Sequence, residues 1–280
     1  MIQQVLSLVL VSSFLTAPAL AQGSTPPGWI LGSSTREALV QTYVFDSNFD
    51  EREEQIDSAP SAIGPWQLDL DLQGLDPNGV PVGRARSQQV SEVQRTELTF
   101  DLDISVVTAG NHSQEDAYGS SDFRIEFSTT ERMRFAMTAQ TAAALGYNRS
   151  VVDLHSVLAP TSPIATVASY GGFDPSSSGA FEGWLQPGQY VLSANSESLA
   201  GGSGAPPGES QSASCSGALR AFHQCDYDLD GDVDLIDRHM FLSQWALGLN
   251  PEATDFDGDG DRDTADASRF LLKWRRALRP

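Results

Sequence analysis

Through the middle of the chain, apolar and polar residues alternate in short runs. Leu68, Leu70 and Leu72 are separated by Asp69 and Asp71, and Leu98, Phe100, Leu102, Ile104 and Val106 enclose Asp101 and Asp103. Phe123, Ile125 and Phe127 repeat the pattern, followed by Met133, Phe135 and Met137. Residues 151–157, 180–185 and 190–194 complete the series. A period of two sends successive side chains to opposite faces of a strand, so each run predicts a strand with one dry and one wet face. Gly, Pro, Asn and Ser cluster between the runs, as turns require. Many such strands predict an all-β antiparallel sandwich over residues 22–198. Residues 138–145 read instead as a short helical turn.

Near the C-terminus the period changes to four. Phe241, Trp245 and Leu249 share one helical face, and Phe270, Trp274 and Leu278 share another. The predicted core of this region is Phe241, Leu242, Trp245, Phe270, Leu271 and Trp274.

An acidic loop of one spacing precedes each of these helices. Asp226, Asp228, Asp230, Asp234 and Asp237 occupy positions 1, 3, 5, 9 and 12 of the first loop, with Gly231 at 6. Asp255, Asp257, Asp259, Asp263 and Asp266 repeat this around Gly260. Ca²⁺ is a hard ion that takes six to eight oxygens, and this is the spacing that supplies them. Asp232 and Asp261, at position 7, are expected to ligate through the main-chain carbonyl, and Asp234 and Asp263 through water. A solvated acidic tail has no reason to hold one spacing twice. The expectation is two Ca²⁺ ions, with metal binding coupled to folding.

A full EF-hand also has a helix before each loop. Here the first loop follows Ser- and Gly-rich sequence, and the second follows the helix stop Gly248-Leu-Asn-Pro251. Loop followed by one helix, duplicated, with Asp at position 12, resembles the type I dockerin domain over residues 215–280. The resemblance implies an all-α module of two F-hand repeats lying antiparallel, with two bound Ca²⁺, docked on a cohesin domain. It places the partner-facing positions at Leu235 and Ile236 in the first repeat and at Thr264 and Ala265 in the second. The alternative for Ile236 is packing against the second helix. Arg262 departs from the aliphatic residue usual at position 8, where Val233 stands in the first loop.

Met133-Arg-Phe-Ala-Met137, residues 151–157 and Gly183-Trp-Leu-Gln-Pro-Gly-Gln-Tyr-Val-Leu192 resemble the closing hairpin of secreted jelly-roll accessory modules such as the bacterial pre-peptidase C-terminal domain. That likeness spans residues 129–198, with a turn at Pro187-Gly188. Residues 199–214 read as a flexible Gly/Ser/Pro linker.

The other end of the chain bears on location. Residues 5–15 are apolar and Ala19-Leu-Ala21 is a small-residue cleavage pattern, so residues 1–21 read as a signal peptide and the protein as secreted, extracellular or cell-surface. The alternative is an N-terminal anchor, for which the apolar stretch is short. No later segment is apolar enough to span a membrane. The formal net charge of −20 disfavours nucleic acid as a partner. Cys215 and Cys225 are the only cysteines, and in an oxidising compartment a disulfide between them is expected, with two free thiols as the alternative.

Familiar catalytic motifs are missing: no H-E-x-x-H, G-x-S-x-G, phosphate loop or dinucleotide fingerprint occurs. His112, His155, His223 and His239 are scattered. Asp69/Asp71 and Asp101/Asp103 are paired carboxylates, but on a wet strand face. Trp29 and Trp66 are candidates to stack on sugar rings if exposed. Asn111-His-Ser113 and Asn148-Arg-Ser150 match a glycosylation sequon. Two functions remain in view. The first is a calcium-binding protein attached through its dockerin-like module, carrying a non-catalytic binding or structural sandwich whose ligand is a polysaccharide. The alternative is a secreted glycoside hydrolase carrying a dockerin.

Overall fold

The computed structural model describes residues 28–278 apart from 47–48, 60–63, 95, 111–113, 145 and 202–207. The expected signal peptide and the sequon at Asn111 lie outside the described residues. Two antiparallel six-stranded sheets face each other. The first has the order β2-β1-β6-β11-β8-β9, built from β1 (Trp29–Asp46), β2 (Phe49–Ala59), β6 (Gln114–Thr129), β8 (Arg149–Ser156), β9 (Ala165–Tyr170) and β11 (Gly188–Gly201). The second has the order β10-β7-β12-β5-β4-β3, built from β3 (Gly64–Leu75), β4 (Pro81–Val93), β5 (Glu97–Thr108), β7 (Met133–Ala143), β10 (Ser176–Leu185) and β12 (Ser210–Phe222).

The alternating runs bury the faces their spacing assigns. Leu98, Phe100 and Leu102 of β5 meet Phe123, Ile125 and Phe127 of β6 across the sandwich. Phe100 and Phe123 stack with ring centroids 5.3 Å apart. Trp29 is part of this core, stacked on Phe127, and so is unavailable to a ligand. A second apolar cluster, around Val40, Leu70, Ile104 and Val106, fills the other end, with Trp66 packed against it.

Four expectations are corrected. Residues 138–143 continue strand β7 rather than forming a helical turn, because Ala139, Thr141 and Ala143 keep the inward alternation of Met133, Phe135 and Met137. The segment around Pro187-Gly188 is not a hairpin: β10 pairs with β7 in one sheet and β11 with β6 and β8 in the other, so the turn carries the chain between sheets. Residues 199–201 and 210–214 of the expected linker lie in β11 and β12, and β12 sits mid-sheet between β7 and β5. Its inward positions Ala213, Cys215, Gly217, Leu219 and Ala221 are small or apolar enough to pack, while Ser210, Ser212, Ser214, Ser216, Ala218 and Arg220 take the other face. The sandwich therefore runs to Phe222, and only residues 223–225 separate it from Asp226.

The fourth correction concerns the cysteines, which are both free and buried. Cys215 points into the sandwich core, where Ser196 Oγ donates to its sulfur at 3.3 Å. Cys225 belongs to a separate C-terminal cluster. The strand from Cys215 to Phe222 alone spans roughly 20 Å at the usual rise, far beyond disulfide reach. Burial pushes the Cys215 thiol up to about 12 and raises that of Cys225 as well.

After the sandwich come helices α1 (Leu235–Leu247), α2 (Pro251–Thr254) and α3 (Thr264–Ala277). Gly248 ends α1 in the left-handed conformation at φ 68°, as the sequence predicts. No helix among the described residues is long and apolar enough to cross a membrane.

Candidate metal centre

The two acidic loops fold alike, residue for residue. Gly231 and Gly260 take φ of 101° and 93°, the left-handed backbone that lets each loop fold back on itself. The position-1 carboxylates reach across to them: Asp226 Oδ2 accepts from Gly231 N, and Asp255 Oδ2 from Gly260 N, both at 3.0 Å. Asp230 Oδ1 accepts from Asp232 N at 3.0 Å, and Asp259 Oδ1 from Asp261 N at 3.1 Å. Asp237 and Asp266 are fully buried and close the loops. One oxygen of each accepts from the amides at positions 2 and 3, and the other from the amide at position 9. Asp234 and Asp263 in turn cap α1 and α3, each forming a reciprocal capping box with the aspartate at position 12.

Eleven of the twelve predicted aspartates fall into four groups whose oxygens lie within 4.8 Å of one another: Asp226, Asp228 and Asp237; Asp232, Asp234 and Asp237; Asp255, Asp257 and Asp259; and Asp261, Asp263 and Asp266, while Asp230 joins none of them and Asp266 stands apart from Asp255, Asp257 and Asp259. Such clusters of aspartates could hold a metal ion. Two features fit an oxygen-seeking cation. Asp226 Oδ1 and Asp257 Oδ1 are buried with no hydrogen-bond partner. Asp257 is already paired with Arg269 through its other oxygen at 3.2 Å, so Asp226 is the carboxylate for which the state is costly unless a metal cation completes it. Burial, and then the charge of Asp237, push the Asp226 carboxyl up to about 7. Burial also raises Asp237 and Asp228, and the charge of Asp259 raises Asp261. Carboxylates crowded until they resist ionisation are those a divalent ion would relieve. Asp232 and Asp261 are exposed, and their carboxylates, not only the carbonyls expected to ligate, lie within these groups.

Apolar packing joins the two repeats. Phe241 and Phe270 stack with centroids 3.9 Å apart, and Tyr227 and Phe256 cap the pair edge-on. The six predicted core residues all belong to this cluster. Tyr227 and Phe256 were not predicted to join it, although both follow position 1 of their loops and their matching placement is legible. Leu249 and Leu278 remain 54% and 44% exposed, so each stripe stops after two turns. The tryptophans do more than pack. Trp245 Nε1 donates to the carbonyl of Asp263 at 3.0 Å and Trp274 Nε1 to that of Asp234 at 2.5 Å, so each helix ties down the other repeat's loop. Arg262, the departure at position 8, donates to the carbonyl of Trp245 near the end of α1 and lies against Gly248. A cation there complements the helix C-terminus.

Two arginines of the sandwich clamp this unit. Arg134 of β7 donates to the carbonyls of Asp226 and Tyr227 at 2.9 and 2.8 Å. Arg132, just before β7, donates to those of Asp255 and Glu252 at 2.6 and 2.8 Å. Both guanidinium groups lie over Trp184 of β10, which packs into the C-terminal cluster. Glu131 accepts from Gln224 and pairs with Lys273 of α3.

Leu235 and Ile236, at the start of α1, are 65% and 54% exposed. Thr264 is exposed and Ala265 half-buried at the start of α3. Of the other candidates, Asp69, Asp71 and Asp103 lie on adjacent strands around Arg86. Asp69 and Asp71 are paired with Arg86 and Arg84, which hold their carboxyls below the usual range. Asp101 and Asp103 are exposed on β5. His155 is half-buried in β8, and burial lowers His223. Asn148 is buried, donating to Ala144 and Gln211 and accepting from Ser198, so the second sequon is structural.

No family model matches the chain, and no curated protein matches it. Solved structures similar at low level include two of unrelated kinds. The VP2 subviral particle of infectious bursal disease virus has a TM-score of 0.22 at 10% identity, over 72% of this chain and 59% of that one. The isomalto-dextranase of Arthrobacter globiformis T6, complexed with panose, has a TM-score of 0.19 at 12% identity, over 56% of this chain and 35% of that one. The chain thus spans less than two thirds of either. Likenesses of this size carry no argument about function.

Proposed function

We propose that this is an exported calcium-binding protein whose C-terminal module, of the dockerin kind, attaches the sandwich to a cohesin-type partner. The observation that carries the reading is the duplication of one loop down to its hydrogen bonds, with a buried, partnerless carboxylate oxygen in each copy. Asp226, Asp228, Asp230, Asp237 and the Asp232 carbonyl would hold one Ca²⁺. Asp255, Asp257, Asp259, Asp266 and the Asp261 carbonyl would hold the other. Each ion, when bound, would neutralise carboxylates that otherwise repel. The residues themselves supply the rest: glycines set the turn, the position-12 aspartates close it, and the tryptophans lock one repeat against the other.

Attachment is supported by the exposed pair Leu235/Ile236, which lies outside the apolar cluster of the module. The sandwich is assigned as a non-catalytic binding module, with polysaccharide as its ligand. The glycoside hydrolase alternative gains nothing from Asp69 and Asp71, whose charges are already committed to arginines.

Calorimetric titration of the full chain with CaCl₂ tests the metal reading. The expected result is binding that disappears in an Asp226→Ala, Asp255→Ala double variant. A parent chain that evolves no calcium-dependent heat would overturn it.

A further inference from the structure

The outer face of the first sheet carries a depression of about 420 Å³ lined by Gln41, Tyr43, Arg52, Asp116, Tyr118 and Leu199. Its floor follows from strand register. Glu54, Gln41, Tyr118 and Leu199 form one row across β2, β1, β6 and β11. Arg52, Tyr43, Asp116 and Gly201 form the next. Tyr43 and Tyr118 are therefore diagonal neighbours on one face, with roughly 7–8 Å between such positions. Both are half-buried, as are Gln41, Asp116 and Leu199.

The rim is planar and polar. Gln41 Nε2 donates to Glu54 Oε2 at 2.8 Å, and Arg52 pairs with the same carboxylate. Gly201 ends its row without a side chain, and a Cβ there would lie 2.7 Å from Asp116 Oδ1 and 2.0 Å from the Glu115 carbonyl. The glycine thus leaves Asp116 open towards the depression.

Two phenol rings beside an amide, a carboxylate and a guanidinium suit a ligand with flat C–H faces and many hydroxyls. The charge around them selects further. Arg52 is engaged with Glu54 and Arg149, near Tyr118, with Glu197, while Asp116 and Asp122 add negative charge on a chain of net −20, which disfavours an anionic ligand. A second depression, on the opposite sheet, is lined by small residues and Gln140 and offers neither ring nor charge.

We infer that the Tyr43/Tyr118 depression is a binding site for a neutral saccharide, with the rings stacked on sugar faces and Gln41 and Asp116 bonded to hydroxyls. The proposal rests on the reading of the sandwich as a binding module, and is independent of the calcium reading.

Affinity electrophoresis of the full chain in gels containing hydroxyethyl cellulose, laminarin, soluble starch, dextran or polygalacturonate tests it. Retardation by at least one neutral polymer is expected, weakened about tenfold or more by Tyr43→Ala or Tyr118→Ala. Tyr118→Phe, which keeps the ring and serves as the folding-safe variant, should retain most of the affinity. Gln140→Ala, on the opposite sheet, should change nothing. Retardation that survives both alanine variants, or is lost in Gln140→Ala, overturns the site but leaves the binding-module reading standing. Retardation by polygalacturonate alone overturns the neutral class. A parent chain retarded by none of the polymers overturns this site and the binding-module reading together.

Discussion

Arg134 and Asp226, 92 positions apart, are joined by a 2.9 Å hydrogen bond from the guanidinium to the backbone carbonyl at the first position of the first acidic loop. Arg132 makes the same bond to Asp255, the first position of the second. The symmetry of the repeats is thus read by two nearby arginines of the sandwich. Replacing Arg134 with Ala removes a charged donor and leaves two part-buried carbonyls short of a partner. The expected cost is about 2 kcal/mol for the C-terminal module. Urea unfolding followed by tryptophan fluorescence measures it, since Trp184, Trp245 and Trp274 all lie at or in this cluster. An unchanged midpoint would mean that the clamp contributes nothing.

Calcium removal should act on the same module and spare the sandwich. Its apolar cluster is small, so a ligand that binds only the folded form matters. At a hundredfold excess over the dissociation constant, each bound ion adds about 2.7 kcal/mol. Chelation is expected to lower the helical signal in far-UV circular dichroism while the β signal persists. A melting curve identical with and without chelator would refute the coupling.

The sandwich was legible where its strands carry large inward residues, as in β5 and β6, and illegible where they do not. β4 turns Ser87, Gln89 and Ser91 inward, and their fully or nearly buried side chains read as loop chemistry. Ser87 donates to the Ser120 carbonyl and Ser121 to Gln89 Oε1, so hydrogen bonds replace part of the apolar contact there, while Gln89 Nε2 and Ser91 Oγ are buried without a hydrogen-bond partner. Residues 210–214, the start of β12, read as linker for the same reason: a Ser-rich stretch packs well when small residues face the core. The turns and helix caps of the acidic loops, and the clustering of most of their aspartates, were legible because carboxylate and glycine spacing is a local property. The clamp by Arg132 and Arg134 was not, because it joins residues more than ninety positions apart.

The buried cysteines give a direct check on the corrected disulfide. Cys215 and Cys225 should both remain silent to a thiol reagent in the native protein and titrate as two thiols after denaturation without reductant. Recovery of a 215–225 crosslinked peptide from the oxidised chain would contradict the strand assignment of Cys215.

Leu229 occupies position 4 of its loop at φ 62°, where the second loop has Gly258 at φ 76°. A left-handed backbone costs a branched L-residue roughly 1–2 kcal/mol, part of which glycine forfeits to chain entropy. Leu229→Gly is therefore expected to stabilise the module by about 1 kcal/mol, and Gly258→Leu to destabilise it by a similar amount. Urea midpoints at fixed calcium test both; a loss in the first variant would show that the leucine side chain contributes more than its backbone strain costs.

The proposed attachment surface makes the sharpest demand on the two repeats. They match in loop geometry, yet α1 opens with the exposed aliphatics Leu235 and Ile236, whereas α3 opens with Thr264 and the half-buried Ala265. Adjacent exposed aliphatics form a contact that a partner can desolvate, and a threonine–alanine pair offers much less apolar area. One orientation of binding should dominate. Leu235→Asp with Ile236→Asp is expected to weaken capture of a purified cohesin by a hundredfold or more, roughly 3 kcal/mol, while leaving calcium titration unchanged. Thr264→Asp with Ala265→Asp should cost tenfold or less. Equal losses from the two pairs would show that both faces are used alike, and full capture by the Leu235/Ile236 variant would place the docking surface elsewhere on the module.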